Sequence, residues 1–131
     1  MKIVTVTANP CIDRTIWVDE FEKGGTNRVT RVSESINGKG INTSVAVNNL
    51  GHPTLAVVME YTGGESVCKY LSSIGVPSVG VETEGRLRVN TKIFDSAAAD
   101  ITELNCKGAP VTSEAVARFT EAVMSAPEMG T

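Results

Sequence analysis

Three short stretches of this chain carry residues whose types and spacing could do chemistry. In Ile36-Asn37-Gly38-Lys39-Gly40-Ile41-Asn42-Thr43-Ser44-Val45-Ala46, two glycines flank a lysine, an asparagine follows, and small residues run into an apolar segment. Without a Cβ, Gly38 and Gly40 let the backbone approach a ligand closely. The first N–H groups of a helix starting there lack internal partners and favour anions or hydroxyl-rich molecules. Lys39 adds a mobile positive charge, and Asn42 an amide that donates and accepts. Asp13 falls just past the predicted end of the first strand, the edge at which open α/β sheets bind ligands. In Leu87–Phe94, Arg88, Asn90 and Lys92 alternate onto one face and set two positive charges around an amide.

Each stretch also has a plainer reading. Gly-x-Gly ahead of a helix serves as an ordinary turn, Asp13 as a solvated loop carboxylate, and 87–94 as a half-solvated strand. Other chemistries are excluded more firmly. Lys39 is followed by Gly rather than Ser or Thr, and the glycine spacing fits neither a Walker A loop nor a dinucleotide fingerprint. His52, in Gly51-His52-Pro53, is the only histidine, which leaves no His-based triad and no multi-His zinc site. Cys11, Cys68 and Cys106 are odd in number and scattered, as reduced thiols are.

A net charge of −3 with interspersed signs gives no nucleic-acid footprint. No basic leader precedes an apolar run, and no apolar stretch is long enough to span a bilayer, so a soluble, cytoplasmic protein is expected, with no membrane partner. The 131 residues suffice for one domain.

The elements that must position these residues follow from periodicity. Lys2–Thr7 is β-branched and reads as a buried strand ended by Asn9-Pro10. Thr15–Val18 alternates, and Asn27–Val32 reads as another strand after the Gly24-Gly25 turn. From Gly40 the period becomes helical, with Ile41, Val45, Ala46, Val47 and Leu50 as the apolar set and Gly51 as the stop. Leu55–Met59 reads as a buried strand, Glu65–Ile74 as a helix, and Val79 and Val81 as a short strand. Ile101–Leu104 is expected to pair with 87–94 as a hairpin across Ser96–Asp100. Thr112 or Ser113 caps a final helix, whose stripe is Ala115, Val116, Phe119, Ala122 and Val123. Strand, helix, strand, helix, strand is the rhythm of a parallel sheet covered by helices. The two hairpin-like segments add a small β flap to this single α/β layer structure.

The ordered set Val4–Asp13, Asn27-Arg28-Val29, Gly38–Asn42, Arg88–Lys92 and Asn105–Pro110 resembles the PfkB group of sugar kinases, most of all its 1-phosphofructokinase and tagatose-6-phosphate kinase branch. The resemblance covers the whole chain. It implies a ribokinase-like α/β fold: a central, mostly parallel sheet with flanking helices plus a small β-sheet lid, with lid segments at roughly 14–35 and 86–105. It implies that Asp13 accepts hydrogen bonds from sugar hydroxyls, that Gly38 and Asn42 contact the sugar, and that Arg28, Lys39 and Arg88 lie near the substrate phosphate with Asn90 adjacent. The implied partner is a sugar phosphate, fructose 1-phosphate or tagatose 6-phosphate, and the implied cofactors are ATP and Mg2+. A homodimer through the lid is compatible with its apolar strands.

Two departures from the family pattern stand out. Asn37 replaces a frequent glycine, and Met59–Gly64 alters a glycine-rich strand end. The Gly-x-Gly-Asp motif that carries the family's catalytic base has no counterpart up to residue 131. The expectation is therefore a truncated, N-terminal sugar-binding portion with no catalytic or metal-binding residue of its own, inactive as an isolated kinase.

Overall fold

The computed structural model describes residues 1–129; Gly130 and Thr131 lie outside the described residues. Its strands form two sheets. The first holds β1 (Ile3–Thr7), β4 (Thr54–Gly63) and β5 (Ser78–Arg86) in the order β1-β4-β5, every neighbouring pair parallel. The second holds β2 (Cys11–Val18), β3 (Arg31–Asn37), β6 (Arg88–Asp95) and β7 (Asp100–Leu104) in the order β3-β2-β6-β7. The helices are α1 (Lys39–Asn49), α2 (Val67–Ser73) and α3 (Ser113–Ser125), and a short 3-10 turn (Ala126–Glu128) follows α3.

β4 is the axis of the core. Leu55, Ala56, Val57, Val58 and Met59 are all buried, on both faces of the strand, so the parallel sheet is covered on both sides. Ile41 of α1, Val67 and Leu71 of α2, and Phe119 of α3 join the same cluster. Fully burying side chains of this size contributes roughly 1.5–3 kcal/mol each, which makes this cluster the main source of cohesion.

Helix ends follow local chemistry. Ser66 and Thr112 cap α2 and α3, their hydroxyls accepting from Lys69 N and Ala115 N at 3.1 Å each. In the departure region Met59–Gly64, the Glu60 carboxylate reaches the first turn of α2 and accepts from Val67 N at 3.0 Å and Cys68 N at 2.9 Å. A negative charge there also complements the helix dipole. Gly51 and Gly75 follow α1 and α2 with φ of 77° each, the left-handed turn that suits glycine at a helix end.

Several sequence expectations need correction. β1 is not a uniformly buried apolar strand: Thr5 and Thr7 are its buried residues, whereas Ile3 and Val6 are 39% and 46% exposed. The threonines face α1, where Thr5 Oγ1 stands 2.6 Å from Ser44 Oγ, and Ser44 Oγ in turn 2.9 Å from Thr54 Oγ1. These pairings satisfy buried hydroxyls that would otherwise be costly.

The second strand begins at Cys11 rather than Thr15, so Asp13 lies inside a strand and not in a loop past one. Asn27–Thr30 is loop, and its strand starts only at Arg31, because the Asn27 side chain folds back on Glu22, accepting from its N–H at 2.8 Å and donating to its carbonyl at 2.9 Å. Leu50 and Val116, assigned to apolar stripes, are exposed. The hairpin expected between 87–94 and 101–104 is present, its turn held by Asp95 Oδ1 accepting from Ala97 N and Ala98 N.

Candidate functional site

β2 places the first functional group because it pairs on both sides. Cys11 stands opposite Asn37 of β3 and Arg88 of β6, and Asp13 stands opposite Ser35 and Asn90. Residues directly opposite share a face. Cys11, Asp13, Ser35, Asn37, Arg88 and Asn90 therefore present one polar face, while the alternating Ile12, Ile36 and Val89 turn toward the core. β3 ends at Asn37, and Gly38 leads at once into α1, which brings Lys39, Gly40 and Asn42 to the edge of that face.

The result is an open cleft of about 570 Å³ at the junction of the two sheets. Asp13, Gly38, Lys39, Asn42, Arg88 and Asn90 all line it, together with Val6–Asn9, Cys11 and Asn37. Six of the seven residues named from sequence thus come together. Arg28 does not: it lies exposed in the 19–30 loop and is not among the cleft-lining residues. Arg14, beside Asp13 in sequence, points to the opposite face and pairs with Glu34 at 2.5 Å. Lys92 shares the polar face but lies 4.0 Å from Glu103, both side chains about half exposed. Such an exposed pair contributes little.

Hydrogen bonds hold the cleft groups in place. Asn37 Nδ2 donates to Asp13 Oδ2 at 2.7 Å and to Ser35 Oγ at 2.9 Å. Cys11 Sγ lies 3.7 Å from Asp13 Oδ1. Arg88 Nη2 donates to the Asn9 carbonyl at 3.3 Å, which fixes one side of the guanidinium. Arg88 Nε is buried with no partner among the described residues. Asn90 Oδ1 accepts from Cys106 N at 3.0 Å, which turns the amide so that its donors remain uncommitted among the described residues. Burial pushes the Cys11 thiol above its ordinary value; Asp13 adds to the shift, while Arg88 and Lys92 oppose it. Cys11 is thus held as a neutral thiol on the cleft floor.

The arrangement offers a carboxylate, two cations, four amides and an uncapped helix start within one open cavity. That combination suits a molecule with hydroxyls at one end and an anion at the other. Asn37, Cys11, Asn9 and Thr7 escaped the sequence reading as cleft residues. The signal for Asn37 and Cys11 was the period of two linking them to Ser35 and Asp13, visible only once the strand is taken to start at Cys11. A second cleft, of about 460 Å³, lies by Thr62, Glu82–Glu84, Thr112, Glu114 and Arg118. It holds none of the seven site residues named from sequence, and Arg118 is occupied there in donating to the Glu82 carbonyl at 2.7 Å.

Among the described residues, no group of three His, Cys, Asp or Glu side chains is gathered to hold a metal ion. No helix of the described residues is long and apolar enough to cross a membrane.

No family model matches the sequence. It is 31% identical over 128 residues to the 1-phosphofructokinase of Bacillus subtilis, an alignment covering 96% of this chain and 41% of that protein. It is 28% identical over 119 residues to the 1-phosphofructokinase of Vibrio cholerae, covering 90% of this chain and 37% of that protein. Among solved structures, a Thermotoga maritima protein described as a possible 1-phosphofructokinase superposes with a TM-score of 0.81 at 30% identity, over 98% of this chain and 42% of the other. Phosphofructokinase-2 of Escherichia coli, in complex with substrates and products, superposes with a TM-score of 0.83 at 23% identity and shares the fold. The chain spans about two-fifths of the length of the curated relatives it matches.

Proposed function

Because this chain belongs to the PfkB family of carbohydrate kinases, we propose that its cleft is the sugar-phosphate site of a 1-phosphofructokinase-type reaction. In that reaction the γ-phosphoryl group of ATP passes to a hydroxyl of fructose 1-phosphate, giving fructose 1,6-bisphosphate. The observation that carries the reading is the meeting of Asp13 with Lys39 and Arg88 in one cleft, although the three lie far apart in sequence.

Each residue has a role set by its position. Asp13 accepts hydrogen bonds from sugar hydroxyls, its carboxylate oriented by Asn37. The Gly38 turn and Asn42 contact the sugar. Arg88 presents its guanidinium, and Lys39 its ammonium, to the phosphate already on the substrate. Asn90 supplies amide donors beside them. Arg28, outside the cleft, has no part in this reading.

ATP and Mg2+ would supply the phosphoryl group and neutralise its charge. The described residues form no metal cluster, and none is assigned to either cofactor. Among the described residues, Asp13 is the only carboxylate lining the cleft. It is committed to holding hydroxyls, so the groups gathered here bind and orient, and the 131-residue chain alone is expected to bind without turnover.

Calorimetric titration tests the reading. Fructose 1-phosphate should give a saturable isotherm, and free fructose, which lacks the anion, should bind far more weakly. Equal binding of the two sugars would remove the phosphate clamp from the account. The same titration with tagatose 6-phosphate decides between the two sugar phosphates.

A further inference from the structure

Neither glycine beside Lys39 is there for an unusual backbone angle. Gly38 has a φ of 171°, extended backbone open to any residue, and Gly40 lies within α1. What both positions exclude is a Cβ. One at residue 38 would stand 2.6 Å from Thr7 Cγ2, and one at residue 40 would stand 2.4 Å from Thr7 Oγ1. The two branches of one threonine therefore fill the spaces beneath the two glycines. Thr7 is the last residue of β1, is 6% exposed, and its hydroxyl has no hydrogen-bond partner among the described residues. The smaller branch, the hydroxyl, faces the tighter space, where the Val6 carbonyl oxygen also stands 2.7 Å from the excluded Cβ.

The contact belongs to a seam. Two residues back on β1, Thr5 meets Ser44, four residues on along α1 from Gly40. Two strand residues advance about 6.6 Å, and four helical residues about 6 Å. Strand and helix, running in opposite directions, therefore stay in step from Thr5–Ser44 to Thr7–Gly40.

We propose that Thr7 is a positioning residue: a forked wedge that sets the height of the Gly38-Lys39-Gly40 turn, and with it the reach of Lys39 and Asn42 over the cleft. Its importance for ligand binding rests on the sugar-phosphate reading above; the wedge itself does not.

The test is a rescue. Gly38→Ala introduces a methyl against Thr7 Cγ2, the next nearest side-chain atom being Ile41 Cδ1 at 3.4 Å. Thr7→Ser removes Cγ2 and keeps the hydroxyl. Gly38→Ala should weaken fructose 1-phosphate binding about tenfold and move the amide resonances of Lys39, Gly40 and Asn42. Gly38→Ala/Thr7→Ser should recover affinity to within about threefold and return those resonances toward their original positions. A Gly38→Ala chain that binds and resonates like the parent, or a double variant no better than the single, overturns the proposal. Should Gly38→Ala fail to fold, recovery of a folded spectrum in the double variant supports the wedge, and its absence rejects it. Should the parent chain not bind fructose 1-phosphate, the sugar-phosphate reading falls, and the amide resonances alone decide the wedge.

Discussion

Asn37 donates its side-chain amide to the Asp13 carboxylate across 2.7 Å, from the end of β3 to the middle of the neighbouring β2. The residue that departs from the family's glycine pattern thereby becomes the support of the cleft's carboxylate. Its second donor goes to Ser35 Oγ, so the amide is locked on both hydrogens and Asp13 is oriented rather than free.

Removing that support should loosen the carboxylate without loosening the fold. Asn37→Ala deletes the charge-assisted hydrogen bond that orients the carboxylate. Fructose 1-phosphate affinity should fall by roughly tenfold or more, while the denaturation midpoint changes little. Calorimetry and urea unfolding on the same variant separate the two effects; a large loss of stability with unchanged affinity would make Asn37 a purely structural residue.

Arg88 is expected to act on the phosphate end of the ligand. Its guanidinium is anchored on the Asn9 carbonyl, and its Nε is buried and unpartnered among the described residues. Arg88→Met keeps much of the aliphatic stem and removes the charge. Binding of fructose 1-phosphate should weaken by about 10- to 100-fold and lose part of its salt dependence, Lys39 retaining the rest, and residual binding of free fructose should be unaffected. Competition titrations at low and high salt check this.

The pH response comes chiefly from Cys68, whose thiol burial pushes up to about 11 from an ordinary value of 9.0, the nearby Glu60 adding to the shift and Ser78 opposing it. The folded state thus favours the neutral thiol. Its stabilising effect is complete below pH 9 and is lost as pH rises through about 11. Thermal melts between these limits should show a steeper alkaline decline in the parent chain than in Cys68→Ala. At neutral pH, alkylation followed by mass spectrometry should find the exposed Cys106 modified before Cys11 or Cys68.

Much of the architecture was legible because period and punctuation agree in this chain. β4 and the α1 stripe are apolar at their own periods, and Gly51 and Gly75 stop helices where their left-handed φ is needed. Six of the seven sequence-named site residues meet in the cleft for the same reason: strand alternation fixes the face of Asp13, Arg88 and Asn90 once their strands exist. The misreadings have a common cause in tertiary pairing. Alternation alone starts the second strand at Thr15, whereas it runs from Cys11, because β3 and β6 supply partners to Cys11 and Asp13 on both sides. Composition alone buries Ile3 and Val6, but β1 turns its threonines to a helix that carries Ser44 and Gly40. Arg28, named from motif order, is not among the cleft-lining residues and lies in the loop that the Asn27–Glu22 hydrogen bonds shape.

The most direct test of the central claim is where fructose 1-phosphate lands. In a 1H–15N correlation experiment on the 131-residue chain, the sugar phosphate should move the amide resonances of residues 7–13, 37–42 and 88–90. Those of 82–84 and 112–118, around the second cleft, should stay fixed. Shifts confined to the second cleft, or none up to saturating ligand, would contradict the assignment of the Asp13–Lys39–Arg88 cleft as the sugar-phosphate site.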